Sequence, residues 1–365
     1  MTRVCHVTTV HPADDHRILR KECVSLREAG YAVTLIAPHS RDATIAGVDV
    51  MALRAPARTR AERMFRRSHA AYRAAVALDA DLYHFHDPEF LPYGTRLARA
   101  GKRVVYDAHE DVGTQIRYKE WLPGPSRAPV ARAVARLEAA CVARIDAIVS
   151  PSLAALERLA PRQPRAVLIA NYPRLEAAAV APWQRRERAA CYVGGISRVR
   201  GAHALIDAMA HADAELYLAG PFSPPQLRRE LERSAGWRRV RYAGRISPER
   251  VPDLLGRARV GVLPLQPIPN YRVAYPVKLF EYLAAGMPVV ATDVPLWRDL
   301  LETHGCGVCV PPDSPRRLAE AMTSLLDDDA RARSMGERGR RAAERHYSWG
   351  SQADKLIALY GELLA

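Results

Sequence analysis

Short apolar runs alternate along the whole chain with longer stretches in which apolar positions recur every three or four residues. That rhythm predicts parallel sheets joined by crossover helices. In the first half the strand candidates are RVCHVTTV, AVTLIAP, VDVMAL, DLYHFHD, RVVYDAH, AIVSPS and AVLIANY. The second half repeats the pattern with AACYVGG, ELYLAGP, VRYAGR, VGVLPL, PVVATD and GVCVPP. Amphipathic segments lie between them, among them His16 to Ala29, ended by Gly30, and Ala128 to Arg144. Two Rossmann-like sheets suit this series better than one large sheet. The stretch Arg174 to Arg188 has no strand character and carries a proline and a charge cluster, so it reads as an interdomain linker. The expected division is an N-terminal domain over 1–173, the linker over 174–188, a C-terminal domain over 189–345 and a last helix over 346–365. That helix shows apolar residues at Leu356, Ile357, Tyr360, Leu363 and Leu364, a face that has to pack somewhere, and we expect it to cross back to the first domain.

The chain's 365 residues suit two domains of ordinary size. No window approaches the roughly 18 to 20 uninterrupted apolar residues of a membrane span. The opening MTRVCHVTTVHPADDHRILRKE makes a poor secretory signal, so a cytoplasmic location is expected. Cys306 and Cys309 have the spacing of a metal half-site, but no second pair accompanies them, and buried structural cysteines are the expectation. The net charge of +14 comes almost wholly from arginine. It raises nucleic acid, anionic lipid and phosphate ligands. No groove-binding motif and no basic-aromatic interleaving is present, which argues against nucleic acid.

Ligands of open parallel sheets bind beyond the carboxyl ends of the strands. Two such sheets facing each other would enclose one deep cleft. The residues that follow the strands here are rich in chemistry: His11 and DDHR, then His86, Asp87 and Glu89, then His109, Glu110 and Asp111. In the second half they are Gly194, Gly195, Arg198, Arg200 and Gly201, then Gly220, then Gly244 and Arg245, then Asn270 to Lys278. Gly194-Gly195 ahead of Arg200-Gly201 has the look of a phosphate-binding turn, although neither a P-loop nor a GxGxxG fingerprint is present; a plain tight turn is the alternative. In YPVKLFEYLAAGMPVVATD, Pro276 and Gly286 bracket a short helix over 277–285. Lys278 and Glu281 share one face, and Leu279 and Leu283 another. The lysine and the helix N-terminus favour an anion, and the glutamate fits ribose hydroxyls; a surface Lys–Glu pair is the competing reading.

These motifs, with HPADDHRILRKECVSLREAGYAVTLIAP, HFHDPEFLP, VVYDAHED, YVGGISRVRG, GVCVPPD and the closing YSW, resemble a retaining glycosyltransferase of family 4 with the α/β two-domain GT-B fold. The resemblance implies transfer of a sugar from a nucleoside-diphosphate sugar to an acceptor hydroxyl, with no cofactor and no metal. It implies that Glu281, the second glutamate of an E-x7-E motif, contacts the ribose, that Arg200 holds the diphosphate, and that His109 lies near the transferred sugar. Lys278 matches a P-x-K-x-F-E-Y variant of that motif and is assigned to the diphosphate. Val273 stands where the first glutamate would fall, and Gly194 where an arginine is usual. The expected catalytic group is therefore His109, Arg200 and Lys278. Donor binding falls to Gly194, Gly195, Arg200, Gly220, Arg245, Lys278 and Glu281. Acceptor binding falls to His11, Asp14, Asp15, Arg17 and His86, with Lys21 beside them. The acceptor is expected to be a small molecule, a glycan or a lipid-linked molecule, and the base uracil or guanine. A basic helix over Arg54 to Arg73, with Met64 and Phe65, leaves two readings open: a solvated basic helix, or one that docks on anionic lipid at the inner membrane face. The DDD at 327–329 reads as a solvated helix end. Two other readings compete: a nucleotide-sugar epimerase, which would need no acceptor, and a non-catalytic nucleotide-sugar-binding protein, which would turn nothing over.

Overall fold

The computed structural model describes residues 1–55, 59–109, 112–117, 122–175 and 181–365. The chain divides into two compact units, Met1–Asn171 with Gly350–Ala365, and Tyr172–Trp349. In the first unit β1 (Arg3–Val7), β2 (Ala32–Ala37), β3 (Ala43–Ile45), β4 (Val48–Ala52), β5 (Leu82–Phe85), β6 (Arg103–Asp107), β7 (Ala147–Ser150) and β8 (Ala166–Leu168) form one sheet. Its order is β3-β4-β2-β1-β5-β6-β7-β8. Every neighbouring pair is parallel except β3 and β4. Their hairpin turns through Ala46 and Gly47, both at positive φ, where an NG-like turn is the usual solution.

The second unit holds β9 (Glu187–Val193), β10 (Glu215–Ala219), β11 (Val240–Tyr242), β12 (Ala258–Leu263), β13 (Val289–Thr292) and β14 (Gly307–Val310). They pair in parallel in the order β11-β10-β9-β12-β13-β14. This is the doubly wound order, which reverses direction between β9 and β12. The apolar continuity of the strands follows from burial on both faces: β5, β7 and β13 are buried throughout.

Three differences from the sequence expectation have physical causes. The short β3 went unread because three residues carry no periodicity. Of the proposed linker, 176–180 lie outside the described residues, but Trp183 packs into the second core and its indole N–H donates to Asp329 at 2.9 Å. β9 already begins at Glu187. The last helix, Trp349–Leu364, buries Leu356, Leu359, Tyr360 and Leu363 instead of Ile357 and Leu364. From Gly350 it belongs to the first unit, where the Gln352 side chain accepts from the Ala170 N–H at 3.0 Å.

Candidate active site

In the second unit the strand order reverses between β9 and β12, and Gly194 and Gly195 follow β9 at that point. Gly194 has φ 131° and donates its N–H to Ala219 at 2.8 Å. A Cβ here would run into the ammonium end of Lys278. A Cβ at Gly195 would stand 2.5 Å from Nη1 of Arg200, which donates to the Gly195 carbonyl at 3.3 Å. The two glycines thus exist so that two cations can lie against the backbone. Lys278 Nζ also sits 5.6 Å over the Tyr192 ring. Burial pushes the Lys278 ammonium down to about 8, and the neighbouring Arg200 charge pushes in the same direction.

Lys278 enters from the helix Val277–Ala284. Pro276 supplies its N-cap, no side chain caps it, and Gly286 at φ 67° releases the chain after it. Leu279 and Leu283 are fully buried, and so is Tyr282, whose hydroxyl accepts from the Val193 N–H at 3.4 Å and lies 3.4 Å from the Val262 carbonyl. That residue joins the helix to β9 and β12 and was not singled out by sequence; its apolar neighbours hide it. Glu281 lies one turn beyond Lys278, half-buried, and forms no ion pair among the described residues. The surface Lys–Glu pair left open by the sequence is therefore not what the fold builds. Val273 is 56% exposed, on a loop anchored where the Trp297 indole donates to the Ala274 carbonyl at 2.9 Å. Gly220, at φ 135°, serves the turn itself, because a Cβ there would strike the Gly194 carbonyl. Arg245 is exposed and is not drawn into this group. Of the acidic run, Asp327 pairs with Arg188, Asp328 caps the helix Asp329–His346, and Asp329 accepts from Trp183. Cys306 is buried and Cys309 half-buried, with burial pushing both thiols up to about 12.

In the first unit the direction change falls between β1 and β5. Asp87, just after β5, accepts from the Thr8 hydroxyl at 2.8 Å and the Thr9 N–H at 2.6 Å, binding the two strand ends together. His11 approaches Asp15 at 3.3 Å and Asp87 at 3.8 Å. Burial pulls its pKa down, but these carboxylates outweigh that and raise it. The His109 ring stands 5.1 Å from the His11 ring. His109 Nε2 lies 3.1 Å from Asp107 and 3.2 Å from Nδ1 of His86. Asp107 also accepts from Nε and Nη2 of Arg17, at 2.9 and 3.2 Å. Against the opposing effect of burial, Arg17 first and His109 second hold the Asp107 carboxyl well below the usual range.

Two acceptor assignments are corrected. The His86 side chain is fully buried and faces His6 and Asp107, and Arg17 is buried on Asp107 and the Ile169 carbonyl at 2.9 Å. Neither can meet an acceptor; both position Asp107. Lys21 is likewise buried on Asn171. His11, Asp15 and His109 are partly accessible and Asp14 is exposed. Glu110 and Asp111 lie outside the described residues.

Comparison with known proteins matches both units. Residues 16–171 fit the model described as Glycosyltransferase Family 4, and residues 187–328 the model described as Glycosyl transferases group 1. Each half is thus similar to a glycosyltransferase domain. The α-D-kanosaminyltransferase of Streptomyces kanamyceticus is 29% identical over 47% of this chain and 45% of its own length. A D-inositol 3-phosphate glycosyltransferase of Corynebacterium urealyticum is 29% identical over 47% of this chain and 42% of its own. The chain thus spans less than half the length of these curated relatives. The fold is shared more widely. Sucrose-phosphate synthase from Thermosynechococcus elongatus matches with a TM-score of 0.78 at 20% identity, over 100% of this chain and 99% of that one. Anabaena HepE in complex with UDP-glucose matches at 0.73 and 12% identity, over 99% of this chain and 100% of that one. The chain therefore has the GT-B fold. Among its described residues no helix is long and apolar enough to cross a membrane.

Proposed function

We propose that the protein transfers a glycosyl group from a nucleoside-diphosphate sugar to an acceptor hydroxyl, with retention at the anomeric carbon and no metal in the transfer step. The observation that carries this is the Lys278–Arg200 pair. Two cations press together beside a glycine turn at a sheet's switch point, neither bonded to a carboxylate among the described residues. That arrangement costs free energy until an anion arrives, and a diphosphate supplies two charges. The free amides of the helix after Pro276 face the same kind of ligand, and Glu281 suits the ribose hydroxyls.

As the anomeric C–O bond breaks, negative charge gathers on the leaving diphosphate, where Lys278 and Arg200 stabilise it. The acceptor oxygen bonds to the anomeric carbon on the face the diphosphate leaves, and its proton passes to a β-phosphate oxygen. The first unit contributes His109, held on its Nε2 side by Asp107 and His86, so that its other edge is available to a sugar hydroxyl. His11, Asp14 and Asp15 are offered to the acceptor. The likeness to a UDP-glucose complex favours UDP as the first nucleotide to test.

The test is product analysis by NMR with a panel of nucleotide sugars, with and without acceptor sugars and polyprenyl glycosides. Free nucleoside diphosphate and an axial or equatorial linkage matching the donor are expected only when acceptor is present. Sugar interconversion with donor alone would instead reveal an epimerase, and binding without turnover across the panel a carrier. We further propose that the reaction runs in the cytoplasm at the inner membrane face, through Met64 and Phe65, which are 46% and 70% exposed beside Arg66. Flotation with anionic vesicles checks it: wild type should float, and Phe65→Ser should remain at the bottom of the gradient.

A further inference from the structure

Beneath the ends of β1 and β5, the first unit buries a group of side chains that touch neither donor nor acceptor in the proposed transfer, although His86 among them also backs His109. His6 on β1 and His84 on β5 are paired in register, and His86 points to the same face two residues on. Glu22 reaches them from the helical segment Ile18–Glu28, and Tyr360 from the last helix. All four of His6, Glu22, His84 and His86 are buried. His6 Nδ1 and His86 Nε2 face each other at 3.0 Å, and Glu22 Oε2 stands 3.9 Å from each. One ligand atom from each of the four residues, His84 included, lies within 4.8 Å of the other three. Glu22 Oε2 and His84 Nε2 have no hydrogen-bond partner, although both are buried. Buried polar atoms are rarely left in that state.

The outer nitrogens are engaged in the way metal-binding histidines require. His84 Nδ1 lies 2.8 Å and His6 Nε2 3.2 Å from the Tyr360 hydroxyl, and His86 Nδ1 lies 3.3 Å from Asp107. Each imidazole thus has one nitrogen fixed by an outer partner and the other turned inward, the orientation that a second coordination shell imposes. We propose that the first unit binds one divalent transition-metal cation of the zinc class through His6, Glu22, His84 and His86. Three imidazoles and a carboxylate suit zinc, whose tetrahedral bonds of about 2.0 to 2.1 Å place ligand atoms roughly 3.3 Å apart. The spacings of 3.0, 3.9 and 3.9 Å among His6, His86 and Glu22 already bracket that value, and Glu22 and His84 close the remainder by side-chain rotation. With all four positions taken by protein, the site is structural, joining β1, β5 and the Ile18–Glu28 segment.

The experiment uses the full chain, purified without chelator from zinc-supplemented cells. Mass spectrometry should find about one zinc per chain. Cobalt(II) added to chelator-treated protein should give the visible bands of a tetrahedral site. His84→Gln should lose both. Tyr360→Phe keeps all four ligands and loses only the outer hydrogen bonds, so it should bind cobalt about 10- to 100-fold more weakly. Where His84→Gln fails to fold, Glu22→Gln replaces it with the same expectation. Less than about a tenth of an equivalent of metal in the wild type, with no cobalt bands, would overturn the proposal. So would zinc retained equally by the wild type and by either ligand variant. Neither result bears on nucleotide binding in the second unit, which can be read separately.

Discussion

Lys278 owes its depressed pKa to burial and to Arg200, and that makes its protonation a variable within reach of experiment. The sign is fixed by which state holds the proton. The free protein begins to lose it near pH 8, whereas a bound diphosphate holds it on. Nucleotide affinity should therefore be flat below pH 8 and fall by up to about tenfold per pH unit above it, with net proton uptake on binding. Calorimetry in buffers of differing ionisation heat reads the uptake, and Lys278→Met should abolish both the uptake and the pH dependence. The same variant removes a charge-assisted hydrogen bond of about 1.5 to 3 kcal/mol, so its affinity for UDP should drop roughly 10- to 150-fold at neutral pH. Gly194→Ala should do comparable harm without touching a charge, because its Cβ would displace the lysine. These residues were legible in the sequence because proline and glycine bracket them and three residues make one turn. Arg17 and His86 were not. A strand-end position says that a residue is near a site, but not whether its side chain turns outward or back under the sheet.

At the scale of elements, parallel strands were readable from their apolar runs, and the order 3-2-1-4-5-6 of the second sheet sets the Gly194–Gly195 turn at its switch point. What no run of residues discloses is how closely a helix meets its strand. On β12, Gly261 lies under the Tyr282 ring, and a Cβ there would stand 2.5 Å from Cγ of that ring. Gly261→Ala should therefore lower stability by about 1 to 3 kcal/mol, a fall in melting temperature that bound nucleotide partly restores. Gly201→Ala should be worse for function than for stability. Gly201 has φ 74° and abuts the Pro264 carbonyl, so the substitution would push the Arg200 turn off the end of β12. Calorimetry of both variants with UDP separates the two effects.

For the molecule as a whole, the last helix is the least local element. Leu356, Leu359, Tyr360 and Leu363 are buried in the first unit, and each such side chain contributes about 1.5 to 3 kcal/mol. Their sum rivals the whole stability of an ordinary domain, about 5 to 15 kcal/mol. A chain stopped at residue 349 should thus leave the second unit folded and the first open to protease, and limited proteolysis with mass spectrometry would show which half survives. The apolar face of that helix was visible in the sequence, although its centre lay one position away from where the pattern put it. The Tyr360 hydroxyl touches His6, 354 residues upstream. On the ribosome, domains usually fold in the order in which they are made. Here β1 emerges first and waits through the synthesis of the entire second unit for the tyrosine that completes its surroundings. The half of the protein begun first is the half finished last, and until then its histidines are open to whatever the cell offers them.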